Sequence, residues 1–163
     1  MKLGKTIQDA INEQINFELS SAYLYLSMSA HFEAAGLPGF ANWMRVQYKE
    51  ETEHAMRFYK YVFERGGQVT LKAIPQPQTK FKTPLDVFTL VLGHEQKVTV
   101  AIHKIYDLAV KEKDYPTQTM LQWFINEQVE EEKNATEIIN LLEMIGNSPA
   151  NLILADHQLG GRK

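Results

Sequence analysis

The chain has no cysteine, so disulfides, thiolate-bound metals and cysteine nucleophiles are excluded. It also lacks any Lys/Arg cluster or basic tail, and its formal net charge is −3, which removes nucleic acid as a main partner. Long apolar runs are missing as well. Polar residues interrupt the opening MKLGKTIQDAINEQ every few positions, so it reads as neither a secretory signal nor a membrane span. A cytoplasmic protein is the expectation. What is present is 163 residues with an ordinary 44% hydrophobic fraction, enough for one domain with a real core.

Between Lys5 and Ala35 proline and glycine are absent, and apolar residues recur at Ile7, Ile11, Ile15, Ala22 and Leu26. This spacing predicts a long helix, stopped by Gly36-Leu37-Pro38-Gly39. A second helix is expected from about Gly39 to Arg65, ending at Gly66-Gly67, a pair suited to a left-handed cap. Residues 66–83 carry Pro75 and Pro77 and little helical pattern, and so long a connection needs a reason in a compact domain. A third helix is expected from about Pro84 to Lys113, with Phe88, Val91, Leu92, Val98, Ile102 and Ile105 on one side. The short turn Asp114-Tyr115-Pro116 sends a fourth helix, about Thr117 to Ile145, back antiparallel. Pro149 to Leu159 reads as a short fifth helix, apolar at Leu152, Ile153, Ala155 and Leu159.

Short first and third links with a long second one predict an all-α four-helix bundle, with one long crossover between helices two and three. A helix of about 28 residues is roughly 42 Å long, and the connection can extend to roughly 60 Å. It can therefore run the length of the bundle, although a plain up-down-up-down bundle with a loose loop stays open on length alone. No internal repeat is visible, and residues 1–163 are expected to form a single domain.

The second helix raises an energetic problem. Met44, Gln47, Glu51, His54, Phe58 and Val62 share one stripe, apolar at both ends but with a carboxylate and an imidazole at its centre. A buried charge costs several kcal/mol unless it is paired or coordinated. The other helices break their apolar stripes in the same way. Glu18 interrupts Ile11, Ile15, Ala22, Tyr25 in helix one, and Glu95 interrupts Phe88, Val91, Val98, Ile102 in helix three. Gln128 and Glu131 interrupt Leu121, Phe124, Ala135, Ile138 in helix four. With a crossover, all of these fall within roughly 9 Å of one level.

One acid on a helix face is ordinarily a solvated or snorkelling residue, but four helices placing acids at one depth is a different matter. His54 alone cannot neutralise Glu18, Glu51, Glu95 and Glu131, whereas two divalent cations can. Oxygen ligands with one imidazole and no sulfur suit iron or manganese rather than structural zinc. Glu50, Glu127 and Glu130 point about 100° off the stripe. They form either an acidic solvent face or a third, looser cation site; Glu53 and Glu132 are read as solvent-facing.

Glu18 with Tyr25, the run Tyr48-Lys49-Glu50-Glu51-Thr52-Glu53-His54-Ala55, Glu95, and the run from Trp123 to Glu132 carry a resemblance. On these motifs the chain resembles bacterial-type non-haem ferritins over essentially its full length. Ferritin-like di-iron bundles are themselves known by one Glu from each of two helices and a Glu-x-x-His from each of the others. Here Glu18 and Glu95 are the single acids and Glu51-x-x-His54 is the first motif, while the second is altered to Gln128-x-x-Glu131.

The resemblance implies a ferritin-like bundle that oxidises Fe(II) to Fe(III) with dioxygen or hydrogen peroxide, packed as twenty-four copies into a hollow shell that stores ferric mineral. It implies that Glu18, Glu51 and His54 hold one iron, and that Glu51, Glu95 and Glu131 hold the second, with Glu51 bridging. Gln128 would hydrogen-bond a ligand of the irons. Glu50, Glu127, Glu130 and Glu131 resemble a third-iron site. Tyr25 resembles a tyrosine that hydrogen-bonds a ligand or supplies an electron, while Trp123 is an aromatic neighbour suited to core packing.

Rival readings fit less well. Haem-binding bacterioferritins carry Met where Thr52 stands and His where Glu131 stands, so no haem is expected. DNA-protecting miniferritins place metals between subunits and lack the fifth helix. A dimeric di-metal oxidoreductase needs a second Glu-x-x-His and a substrate pocket. A purely structural bundle leaves the buried acids uncompensated.

Overall fold

A computed structural model describes residues 2–163. It contains α1 (Lys5–Ala34), α2 (Pro38–Glu64), α3 (Pro84–Lys111), α4 (Tyr115–Ile145) and α5 (Pro149–Leu159), and no strand among the described residues. Helix ends differ from the sequence expectation by one or two residues, for local reasons. α2 starts on Pro38, whose missing N–H costs nothing in a first turn. α3 stops at Lys111 because Lys113 turns left-handed, with φ of 55°. α4 begins at Tyr115, two residues early, because the Asp114 carboxylate caps it by accepting from the Thr117 N–H at 3.2 Å. Gly36 and Gly66 take φ of 73° and 64° and close α1 and α2 as expected.

The hydrophobic core is divided in two. At one end Tyr25, Met28 and Phe32 of α1 meet Phe40 and Met44 of α2, Val87 and Phe88 of α3, and Ile138 and Leu142 of α4. At the other end Ile7, Ile11 and Ile15 meet Phe58 and Val62, Ile102 and Ile105, Leu121 and Phe124. The starts of α2 and α3 therefore share one end, so these helices run parallel and the connection between them travels the length of the bundle. That settles the crossover in favour of the long form.

A polar ladder on α1 holds the crossover in place. The Gln68 N–H donates to Gln8 Oε1 (2.9 Å) and the Thr70 N–H to Asn12 Oδ1 (3.2 Å). The Lys72 N–H donates to Asn16 Oδ1 (3.2 Å), and Ser27 Oγ donates to the Gln78 carbonyl (2.7 Å). A segment without secondary structure thus finds partners for its backbone groups on the helix it crosses.

Two apolar assignments change. Leu26 lies at the edge of the α1 stripe and is half-exposed, while Tyr25 takes the buried position. In α5, Ala155 and Leu159 are buried but Ile153 is 66% exposed, because α5 lies across the start of α2 and shows that helix only one edge. Asp156 accepts from the Phe40 N–H at 2.9 Å, satisfying a donor at the N-terminus of α2. No helix among the described residues is long and apolar enough to cross a membrane.

Candidate metal centre

The gap between the two apolar clusters is filled by polar side chains. Glu18, Glu51, His54, Glu95, Gln128 and Glu131 are all buried there, at the common level their stripes predict. Glu18 accepts from Gln14 Nε2 through Oε1 (2.8 Å), while its Oε2 has no donor. Neither oxygen of Glu51 has one, and His54 Nδ1 lies 3.7 Å from Glu51 Oε2. Three donorless carboxylate oxygens in a buried site are costly as they stand, and they are the ligands a hard cation requires. The residues therefore fit iron.

Two groups of ligand atoms lie within coordinating reach. One atom each from Glu18, Glu51 and His54 lie within 4.8 Å of one another, and so do atoms from His54, Glu127 and Glu131. The first group is the expected trio. The second brings Glu127 and His54 to Glu131. Glu95, which acts electrostatically on both Glu51 and Glu131, accepts hydrogen bonds from the Tyr25 hydroxyl and from Gln128 Nε2 (3.2 Å). Gln128 Nε2 also donates to the Glu95 carbonyl (3.1 Å). Glu131 accepts from Gln47 Nε2 (3.0 Å).

The outer acids separate. Glu127 joins the second group, whereas Glu130 is exposed and belongs to neither. Glu50 is paired with Arg162, at 2.5 Å. Glu53 is exposed, as read from the sequence. Glu132 is not fully solvent-facing: it accepts from Thr99 Oγ1 at 2.6 Å across the α3–α4 seam. The Trp123 ring lies edge-on to His54, centroids 5.4 Å apart, with Arg57 stacked 3.7 Å above it.

Crowding fixes the electrostatics. Burial and the neighbouring carboxylate of Glu51 push Glu18 well above the usual carboxylate range, and burial followed by Glu95 does the same to Glu51. As two carboxylates Glu18 and Glu51 repel; with one protonated they can share the proton. Burial pushes Glu95 up to about 7 against the donors Tyr25 and Gln128. Glu131 also rises to about 7, through burial and then the charges of Glu95 and Glu50. Each shift has the same origin, negative charge taken out of water beside other carboxylates.

Sequence reasoning missed several supporting residues. Gln14 sits one turn before Glu18, so its donation was open to an i, i+4 reading. Gln47 lies on the α2 stripe, but its partner on α4 depends on packing. Nothing in the sequence marked Arg162. His94, beside Glu95, is bonded to Ser21 Oγ at 2.7 Å and pushed down to about 4 by burial and Lys97.

Comparison with known proteins agrees with this arrangement. The ferritin-like domain family matches residues 8–145. The chain is 42% identical to a bacterial non-heme ferritin of Bacteroides fragilis over 160 residues, covering 98% of this chain and 99% of the relative. A bacterial non-heme ferritin of Staphylococcus haemolyticus is 39% identical, covering 98% and 96%. The crystal structure of an open pore ferritin from the hyperthermophilic archaeon Archaeoglobus fulgidus superposes with a TM-score of 0.98. It has 44% sequence identity and the match covers the whole of both chains.

Proposed function

This chain belongs to the ferritin family, and on that premise we propose that residues 1–163 act as one iron-storing domain of the bacterial non-haem type. Fe(II) is its substrate and Fe(III) mineral its stored product. Glu18, Glu51 and His54 take one Fe(II), and Glu51, Glu95 and Glu131 take the second with Glu51 between them. The single observation that carries this reading is Glu51, buried with both oxygens free of donors, as a carboxylate shared by two cations requires. Glu50, Glu127 and Glu130, together with Glu131, provide a third, more open position for an iron in transit.

The chemistry is electron transfer between substrates that the carboxylates hold together. Each Fe(II) gives one electron. The pair reduces dioxygen with two protons to hydrogen peroxide, or hydrogen peroxide with two protons to two waters. Carboxylate oxygens stabilise Fe(III) more than Fe(II) and so favour oxidation. Binding of Fe(II) displaces the protons held by the raised carboxyls. Tyr25, bonded to Glu95, orients that ligand, and Gln128 offers its amide to the same ligand. Thr52 offers no thioether to haem iron.

The same reading makes the working form a hollow shell of twenty-four copies in the cytoplasm. Relatives of ferritin type, one of them an open pore ferritin, support it. So do the exposed apolar side chains of α5, which suit packing on a symmetry axis. Glu51→Ala tests the centre: stopped-flow absorbance should lose the rapid phase of Fe(II) oxidation by at least about a hundredfold, with the assembled particle intact. An undiminished initial rate would sink the assignment.

A further inference from the structure

The segment after α5 ends against the metal centre. Asn42 Nδ2 donates to the carbonyls of Gly160 (3.3 Å) and Arg162 (3.0 Å), seating residues 160–162 along α2. From there Arg162 lays its guanidinium over the Trp43 ring, 4.4 Å from the centroid, and donates through Nη2 to Glu50 Oε2 at 2.5 Å. Residues 43 and 50 lie two turns apart on one face of α2, so a single side chain spans both. Its other terminal nitrogen, Nη1, is buried with no hydrogen-bond partner. The guanidinium is therefore held by one fork nitrogen and a ring face, not by the two parallel hydrogen bonds of a bidentate arginine–carboxylate pair.

Glu50 also lies within electrostatic reach of the centre, next to its ligand Glu51 in the chain. Glu127 and His54 act on it electrostatically, and it acts in turn on Glu131. We propose that Arg162 is a displaceable counter-ion for the third cation position, so that a cation entering among Glu50, Glu127 and Glu131 drives the guanidinium off Glu50 and loosens the C-terminal segment. The proposal rests on the third position assigned under Proposed function. Two positive groups competing for one carboxylate weaken each other, and the coupling is reciprocal. The latch would keep the outer position weak, which suits an ion in transit.

Zn(II), which does not change oxidation state, tests this by calorimetry on the assembled apoprotein at low salt. The wild type should show two tight binding steps per chain and a weaker third. R162Q should tighten the third step about tenfold, the scale of removing one nearby, partly exposed charge, and leave the first two unchanged. R162K, which keeps the charge, should restore the wild-type third step. In a W123F background Trp43 is the sole tryptophan, and its emission should change only as the third equivalent binds, with no such change in W123F/R162Q. A third step no tighter in R162Q than in the wild type overturns the latch alone. If neither protein shows a third step, or if E127Q leaves that step in place, the third position itself is wrong and the latch falls with it.

Discussion

Glu51 has no hydrogen-bond donor on either oxygen and sits with Glu18, Glu95 and Glu131 in a cluster whose carboxyls are all raised above their ordinary range. This has a consequence for stability. A carboxyl whose folded pKa exceeds its unfolded value binds more protons in the folded chain between the two values, so stability falls as pH rises through that window. For Glu95 and Glu131 the window runs from 4.5 to about 7. With chelator present, the thermal midpoint should therefore drop by several degrees between about pH 5 and pH 8. Saturating Zn(II) should flatten that slope, because coordination replaces the protons. A chelated protein equally stable at both ends of the range would refute the electrostatic picture. These acids were legible in the sequence because a carboxylate on an apolar stripe is conspicuous. The aim of Glu95 was not, since it depends on Tyr25, 70 residues earlier, and on the amide of Gln128.

The four long helices follow from periodicity and breakers, but their arrangement depends on contacts that look unremarkable along the chain. Gln8, Asn12, Asn16 and Ser27 read as ordinary surface polar residues of α1, yet they carry the crossover. Connection length permitted the long route, and only the partition of the core into two ends decided it. The docking of α5 was hidden for a similar reason. Asp156 reads as a solvent acid but satisfies a backbone donor of α2, and Gly39 lets the two helices touch. A Cβ built on Gly39 would lie 1.6 Å from the Asp156 carbonyl oxygen, and backbone cannot yield as a flexible side chain does. Gly39→Ala should therefore force α5 off its seat at a cost of about 2–3 kcal/mol. Limited proteolysis would show cleavage near residues 146–149 that the wild type resists. Equal resistance in both proteins would mean that the helices part without strain.

Oxidation and storage belong to different levels of the molecule. All the proposed ligands come from one bundle, so on that proposal a single chain would hold the oxidising centre, while retention of the product would require an enclosing assembly. The two can be separated. Ile153 and Leu154 are adjacent on α5 and are 66% and 68% exposed, and an uncovered apolar pair at the tip of a molecule suits burial against other copies. A shell of twenty-four chains of 18.7 kDa each would have a mass of about 450 kDa. Leu154→Glu would place four such charges around any fourfold contact made by α5, and like charges brought together at an interface oppose association. Because Leu154 contributes little to the chain's own core, the helical content should stay unchanged while the sedimenting particle becomes smaller. Fe(II) oxidation per chain should persist near the wild-type initial rate, but its product should precipitate instead of staying in solution. An assembly of unchanged size would remove α5 from the contact. Loss of oxidation along with the shell would mean that the centre needs its neighbours, contrary to a site built from Glu18, Glu51 and His54 of one chain.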